Sequence, residues 1–307
     1  MRYSDIFLKK IRCNNSEEVF QYLTTTLKDT ISGWEYFINW TKVFQGIKNV
    51  EVDLNILNYL IGKGDIEQEL IGLLEQYPSI VKAIPLLIAC RESKFQILKG
   101  FSNENGFQYE NYDFSINSKI EKNKVVEFAK NTGFLTLLKD KKIKSIVDYV
   151  IGIEVGLDSN GRKNRGGTAM EKIIEFYVKD VCARNNYEYL KEATSKEIKK
   201  KWDINLKVDK SSRRIDFVIK KNHSLILIET NFYGGGGSKL KSTAGEYKSM
   251  FDFWKKDGHD FVWITDGAGW KTTKLPLHET FEYIDYILNL DMVGKGLLDD
   301  ILLGILK

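Results

Sequence analysis

The feature that most constrains this chain is a predicted β-hairpin between residues 211 and 231. The first predicted strand covers residues 213–220, where large apolar side chains alternate with Asp216 and other residues. The second covers residues 225–229 and is apolar up to Glu229, as expected for a strand buried on both faces. Residues 221–224 supply the turn. The hairpin therefore carries one acid near its beginning and one near its end.

The turn decides whether these two acids meet. A loop centred on Asn222 and His223 places Asp216 directly opposite Glu229 in an antiparallel ladder. Directly opposed residues have Cβ atoms roughly 4.5–5.5 Å apart, and like charges there are destabilising. A cation between the two carboxylates would remove that repulsion, and hard oxygen ligands favour Mg²⁺ or Mn²⁺. The alternative is a strand end at which both acids point into solvent.

Composition sets broader limits. A chain of 307 residues is long enough for one large domain or two modest ones. No apolar run reaches membrane-spanning length, no signal peptide is visible, and the three cysteines show no CxxC spacing, so we expect a cytoplasmic protein with reduced thiols and no membrane partner. The formal net charge of +4 permits a polyanionic partner without requiring one.

The chain divides by character near residue 150. Residues 1–150 are predicted to form a mainly helical N-terminal region, and residues 151–307 a catalytic domain. In the first region we expect an aromatic stripe of Trp34, Phe37, Trp40 and Phe44 to lie in the core. We interpret residues 99–118 as a loop with at most one short strand.

A glycine-rich basic segment, residues 156–167, begins the second region. It is predicted to be a loop that carries Arg162, Lys163 and Arg165 and leads into a helix opening at Thr168. Such a loop before a helix N-terminus suits a phosphate group, and the alternative is a solvated surface loop.

The elements that follow are a predicted strand at residues 202–208, the hairpin, a helix at about 240–255 with Tyr247 on its apolar side, and a buried strand at 261–265. Asp266 and Gly267 are interpreted as a turn that closes this strand. The order helix, strand, strand, strand, helix, strand, with acids on the second and third strands, is similar to the core of PD-(D/E)XK nucleases. The resemblance implies an α/β fold with a mixed sheet (αβββαβ) beside the helical N-terminal region.

Longer phrases resemble the MboI/DpnII family of type II restriction endonucleases. They are Gly152-Ile-Glu-Val-Gly-Leu-Asp-Ser-Asn-Gly-Arg-Lys-Asn-Arg165, Arg214-Ile-Asp-Phe-Val-Ile-Lys220, Glu229-Thr-Asn-Phe-Tyr233 and Trp263-Ile-Thr-Asp-Gly-Ala-Gly-Trp270. The resemblance runs along nearly the whole chain. It implies magnesium-dependent cleavage of double-stranded DNA at GATC, with four-base 5′ overhangs, beside a cognate adenine methyltransferase. Because GATC is a palindrome, we expect a homodimer in which each subunit cuts one strand.

The motif of these nucleases assigns roles to three acids and to one neighbouring residue. Asp216 and Glu229 would bind the metal, Mg²⁺ or its substitute Mn²⁺, with the carbonyl of Thr230 as a further ligand. Glu171, on the preceding predicted helix, would complete the site. The alternative for Glu171 is a capping box with Thr168, since the spacing Thr-x-x-Glu fits one.

The motif lysine is absent. Asn231 stands in its place, and an amide cannot act as a general base, although it can orient the attacking water. Lys239 is the candidate for phosphate contact or water activation, and its alternative is an ordinary exposed lysine. Arg162, Lys163 and Arg165 would contact DNA, with phosphate contacts the default.

Two other functions remain open from the sequence. One is a PD-(D/E)XK nuclease of repair or junction resolution, which would recognise DNA structure. The other is a DNA-binding module that does not cleave, which Asn231 favours.

Overall fold

The computed structural model describes residues 5–103, 105–116 and 121–306, apart from the side chains of Asp5, Lys163 and Asn164. Contacts divide the chain into two compact units. The first unit joins Met1–Tyr36 to Lys163–Lys307, and the second is Phe37–Arg162. The predicted domain boundary after residue 150 stays a prediction, because a grouping by contacts does not identify functional domains.

Helices account for most of the regular structure. In chain order they are α1 (Asp5–Ile11), α2 (Ser16–Thr25), α3 (Trp40–Lys48), α4 (Glu51–Leu57), α5 (Ile66–Gln76), α6 (Lys122–Asn131), α7 (Phe134–Lys139), α8 (Ile146–Asn160), α9 (Arg162–Asn185), α10 (Ser195–Trp202), α11 (Ser238–Lys256), α12 (Lys274–Phe281), α13 (Leu290–Gly294) and α14 (Leu297–Leu306). Short 3-10 helices occur at Trp34–Tyr36, Asn58–Leu60, Pro78–Ala83, Pro85–Ile88 and Ala268–Thr272.

The strands form two sheets. They are β1 (Lys94–Ser102), β2 (Gly106–Asp113), β3 (Tyr189–Thr194), β4 (Arg214–Lys221), β5 (Ser224–Phe232), β6 (Asp260–Asp266) and β7 (Tyr286–Leu288). The first two strands make an antiparallel hairpin, and the others make a sheet of order β3-β4-β5-β6-β7. Neighbours are antiparallel from β3 to β5 and parallel from β5 to β7. The predicted α/β class with a mixed sheet is confirmed.

The larger sheet is built around β5. Its residues 225–228 are fully buried, because helices cover both faces of a central strand. Two long helices contribute to the same core: α9 through Met170, Ile174, Val178 and Val181, and α11 through an apolar side that includes Tyr247 and Trp254. The spacings of three and four residues along α9 give it one continuous apolar face.

The hairpin has the predicted register. Phe217 pairs with Ile228 and Lys221 pairs with Ser224, which leaves Asn222 and His223 as the two-residue turn. Asn222 has a φ of 46°, a left-handed conformation that asparagine tolerates better than most residues. The same register continued by one step brings residues 216 and 229 side by side.

The first strand of the sheet lies elsewhere than predicted. Residues 203–208 form no regular element, and β3 at Tyr189–Thr194 occupies the edge next to β4. Thr194 caps α10: its hydroxyl accepts a hydrogen bond from the backbone N–H of Glu197, and its own backbone N–H donates one to the Glu197 carboxylate, so residues 195–202 are helical. The alternation after Trp202 is therefore not a strand.

The predicted glycine-rich loop at residues 156–167 is also wrong. Helix α8 runs to Asn160, and α9 starts at Arg162 after the single residue Gly161, whose φ of −70° is itself helical. Glycine accepts helical angles at a modest cost, and packing can override its low propensity. Arg162, Lys163 and Arg165 therefore lie on the first turn of a helix, and no loop of free backbone donors exists there.

The second unit has its own core, which helices α3 to α8 share with the base of the β1–β2 hairpin. The strands of this hairpin occupy residues 99–102 and 106–113 of the predicted loop, and residues 104, 117 and 118 of that loop lie outside the described residues. The aromatic stripe is not core: Trp34, Phe37, Trp40 and Phe44 are 51% to 91% exposed. Helix α3 buries Val43 and Ile47, so Trp40 and Phe44 project from its outer side and stack on each other.

Across the described ranges, no single helix is both long and apolar enough to cross a membrane. One bent pair, Ile66–Gln76 with Pro78–Ile88, passes by length and composition alone.

Asp266 closes β6 as the predicted turn requires. Its carboxylate is fully buried and accepts hydrogen bonds from the backbone N–H groups of Lys28 (2.7 Å), Gly267 (2.6 Å) and Leu290 (2.8 Å). Gly267 has a φ of 111°, and a Cβ there would lie 2.2 Å from the carbonyl oxygen of Tyr233. One side chain thus joins three segments of the first unit.

We predict that Asp266→Ala lowers the free energy of unfolding by more than about 2 kcal/mol, because three backbone N–H groups lose a fully buried acceptor. Urea denaturation followed by circular dichroism measures this change. Asp29→Ala is the control, since Asp29 forms an exposed ion pair with Lys271 and should change stability little. Equal effects of the two substitutions would contradict the structural role of Asp266.

Candidate active site

The two predicted metal ligands lie where β4 begins and β5 ends. Thr230 fixes the side chain of Asp216. Oδ2 of Asp216 accepts hydrogen bonds from the backbone N–H of Thr230 (2.7 Å) and from the Thr230 hydroxyl (2.8 Å). Because Thr230 follows Glu229 directly, these bonds also fix the end of β5. The backbone ladder stops at the pair 217–228, which frees this end of the hairpin for side-chain contacts.

Glu229 is buried, with 5% of its surface exposed. Its Oε2 accepts a hydrogen bond from the hydroxyl of Tyr247 on α11 (3.2 Å). Its Oε1 is buried and has no hydrogen-bond partner among the described residues. A buried carboxylate oxygen without a partner is costly for a protein, and a bound cation would satisfy it.

Electrostatics favours the same conclusion. Burial, followed by the charge of Asp216, holds the pKa of Glu229 well above its usual value. Burial also raises the pKa of Asp216, although its hydrogen bonds with Thr230 oppose this effect. Both carboxyl groups would ionise more readily with a cation between them.

The third acid, Glu171, joins the same electrostatic group. Burial raises its pKa first, and the charges of Asp216 and Glu192 raise it further. Thr168 lies inside α9, six residues after its start, so the alternative of a capping box is wrong. The structure therefore brings Glu171 towards the acid pair from the helix that packs on the sheet.

Asn231 has a defined orientation. Its Oδ1 accepts a hydrogen bond from Nε1 of Trp263 (2.8 Å), and an indole N–H can only donate. The amide NH₂ of Asn231 therefore faces the other way, towards Tyr247, and it opposes the burial that raises the pKa of that tyrosine.

The predicted basic residues lie further out. Lys239 is exposed on the first turn of α11, roughly 12 Å along the helix axis from Tyr247. Arg162 donates a hydrogen bond to the carbonyl of Phe37 (3.4 Å), and Arg165 to that of Tyr36 (2.8 Å). The side chain of Lys163 lies outside the described residues. None of these contacts involves the acid pair.

Sequence reasoning missed Tyr247, Trp263 and Glu192 as members of the site. Tyr247 and Trp263 carry the pattern of core residues, which they also are. Glu192 lies on β3, which was not predicted as a strand. A buried tyrosine or tryptophan needs a partner for its polar atom, and that requirement was the available signal for the first two.

The donors suit a divalent cation held by few protein ligands. Within the residues whose placement is described, no group of three or more His, Cys, Asp or Glu side chains is close enough to form a metal cage. The free Oε1 of Glu229, the second carboxylate at Asp216 and the carbonyl of Thr230 are all hard oxygens, which is the set Mg²⁺ takes when waters and phosphate oxygens complete its shell.

Comparisons with known proteins show that the chain is similar to type II restriction enzymes. The family model described as DpnII restriction endonuclease matches residues 19–300. The chain is similar to the type II restriction enzyme MjaIII of Methanocaldococcus jannaschii, with 45% identity over 288 residues that cover 92% of this chain and 99% of the relative. The enzyme LlaDCHI of Lactococcus lactis is 43% identical, over 93% of this chain and 95% of its own. The enzyme DpnII of Streptococcus pneumoniae is 35% identical, over 92% and 98%.

The raised pKa of Glu229 predicts how stability depends on pH without metal. A carboxyl group whose pKa is higher in the folded protein contributes stability below its unfolded pKa, and that contribution is lost as the pH rises through the folded pKa. Glu229→Gln cannot ionise and escapes this loss. We expect the variant to melt at a higher temperature than the wild type at alkaline pH, and the difference to close below the ordinary value of 4.5.

Thermal denaturation in EDTA between pH 4 and pH 9 measures the difference. Glu282→Gln, on an exposed side chain of the same unit, is the control and should follow the wild type. A difference between Glu229→Gln and the wild type that does not vary with pH would show that the Glu229 carboxyl group does not titrate as described.

Proposed function

Given that this chain belongs to the DpnII family of type II restriction endonucleases, we propose that it cleaves double-stranded DNA at GATC and leaves 5′ overhangs. Type II restriction enzymes are site-specific deoxyribonucleases, so double-stranded DNA is the substrate class of the family. The observation that carries the proposal is the pair of acids formed by buried Glu229 and half-buried Asp216, in which Oε1 of Glu229 has no hydrogen-bond partner among the described residues. The GATC specificity rests on the phrases shared with the MboI/DpnII family.

The proposed cofactor is Mg²⁺, with Mn²⁺ as a substitute, held by Asp216, Glu229 and the carbonyl of Thr230. When bound there, the ion would polarise the scissile phosphate and lower the pKa of a bound water. The chain's own part is to hold its carboxylates rigidly: Thr230 fixes Asp216, and Tyr247 fixes Glu229. The order α9, β3, β4, β5, α11, β6 supports a PD-(D/E)XK core.

Three further residues complete the proposed chemistry. Asn231 would direct the attacking water with its NH₂ group, since its oxygen is taken by Trp263. Glu171 would contact the ion directly or through a water, and its charge coupling to Asp216 supports that place. Lys239, exposed on the first turn of α11, would contact a DNA phosphate. We favour phosphate contact over activation of water, because Lys239 lies roughly 12 Å along the axis of α11 from Tyr247, which contacts Glu229.

DNA binding is proposed for Arg162, Lys163 and Arg165. Three cationic positions on the first turn of α9 are suited to phosphate contacts, which outnumber base contacts in such interfaces. Because GATC is a palindrome, a homodimer would give each strand its own active site. The proposed genetic partner is a cognate adenine methyltransferase.

Incubation of the protein with unmethylated plasmid and Mg²⁺ tests this function. We expect fragments whose ends all map to GATC, with 5′ overhangs revealed by fill-in and sequencing. Cleavage of a four-way junction but not of linear GATC duplex would instead show a structure-specific nuclease. Specific binding without any cleavage would show a DNA-binding module, and fragments that end at other sequences would refute the GATC specificity.

We predict that Asp216→Asn lowers the cleavage rate by more than about 100-fold, because the amide keeps the shape of the side chain and removes the charge that binds the ion. Specific binding to a GATC duplex in Ca²⁺ should remain. Single-turnover cleavage and a gel-shift assay measure the two effects. The matched control is Asp252→Asn, which alters an exposed carboxylate that accepts a hydrogen bond from Tyr283. Wild-type cleavage by Asp216→Asn would exclude Asp216 from the site.

A further inference from the structure

Tyr247 occupies a position that its apolar helix face does not explain. It is almost fully buried on α11, yet its hydroxyl meets the buried carboxylate of Glu229 at 3.2 Å. That hydrogen bond involves only Oε2, and Oε1 of the same carboxylate is left bare. The tyrosine therefore sets which of the two oxygens is available to a ligand.

The hydroxyl is held in place by aromatic packing. The ring of Tyr247 packs edge-to-face against Trp263 at 5.2 Å and against Phe261 at 5.8 Å, both on β6. A buried aromatic ring with two edge-to-face neighbours has little freedom to rotate. The packing of the core therefore fixes the position of the Tyr247 hydroxyl, and the hydrogen bond from this hydroxyl orients Glu229.

The same hydroxyl also faces the next polar residue of the motif. Trp263 donates to Oδ1 of Asn231, which turns the amide NH₂ of Asn231 towards the oxygen of Tyr247. Two hydrogen bonds thus meet around Tyr247: Trp263 donates to Asn231, and Tyr247 donates to Glu229. A tyrosine hydroxyl can donate one hydrogen bond and accept others, which is what this position demands.

We infer that Tyr247 is a positioning residue of the active site: its hydroxyl holds Glu229 by Oε2 and leaves Oε1 available to bind the metal ion. The inference rests on the proposed function, since it names a residue that supports the proposed metal site. Partners that orient a ligand carboxylate in this way are worth about 10- to 100-fold in metal affinity or activity.

Tyr247→Phe tests the inference because it keeps the ring and removes only the hydroxyl. The matched control is Tyr22→Phe, since the hydroxyl of Tyr22 also donates to a carboxylate, that of Asp291 at 2.5 Å, on helices that carry none of the site residues. Mn²⁺ is the probe, and its binding to the DNA-free protein is measured by electron paramagnetic resonance. Far-UV circular dichroism and melting curves of both variants establish that they fold.

We expect Tyr247→Phe to bind Mn²⁺ about 10-fold or more weakly, and to need a correspondingly higher Mg²⁺ concentration for half-maximal cleavage. Its affinity for GATC duplex in Ca²⁺-free buffer should stay unchanged, because no DNA contact is removed. Tyr22→Phe should match the wild type in every assay.

Three results distinguish a failure of the inferred role of Tyr247 from a failure of the proposed nuclease function. If the wild type cuts GATC and Tyr247→Phe matches it in Mn²⁺ binding and Mg²⁺ dependence, the inference is wrong and the proposed function stands. If both Phe variants lose Mn²⁺ affinity equally, the effect is general and the inference is again wrong. If the wild type neither binds Mn²⁺ nor cuts DNA, the proposed function itself fails.

Discussion

A carboxylate buried in the middle of a sheet is the constraint on which this structure depends. Glu229 closes the apolar run of β5, and moving an ion from water into such surroundings is strongly unfavourable unless other groups compensate for it. The surroundings compensate only in part. Tyr247 satisfies one oxygen, the other has no hydrogen-bond partner in the part of the chain that the structure describes, and Asp216 brings a second negative charge from the neighbouring strand. A pair of acids in these surroundings favours the binding of a cation, because a positive charge would stabilise both carboxylates.

The sequence could predict this pair because short-range rules determine it. Alternation assigns β4, a continuous apolar run assigns β5, and a two-residue turn fixes the register that brings residues 216 and 229 together. The errors occurred where competing signals had to be weighed. Alternation after Trp202 suggested a strand, although the capping box at Thr194 had already assigned the preceding residues to a helix. The glycines at 156–167 suggested a loop, but they take helical angles because packing outweighs their propensity.

The remainder of the site could not be predicted from the sequence for a different reason. Tyr247 and Trp263 are core residues by position, and the sequence pattern that places them in the core is silent about their polar atoms. Their hydrogen bonds depend on how α11 crosses the sheet and on the parallel pairing that sets Glu229 beside Trp263. These relations join elements distant along the chain, so no local pattern contains them. The exposed Trp40 and Phe44 show the opposite case, in which helical spacing predicted burial of the wrong side of α3.

The absence of the motif lysine can be understood in the same electrostatic terms. A lysine at position 231 would place a positive charge beside the acid pair and lower the pKa values of both acids. Asn231 brings none, and the two cations whose charges act on the pair are already engaged: Arg213 is bonded to Asp209 and Glu246, and Lys191 pairs with Glu175 at 2.6 Å. Burial outweighs both of these charges, and the pKa values of the two carboxyl groups stay raised. In the proposed metal site, Asn231 is a neutral amide held by Trp263, so a bound cation would have to supply the charge compensation that a lysine gives, and ionisation of the pair would depend on that cation.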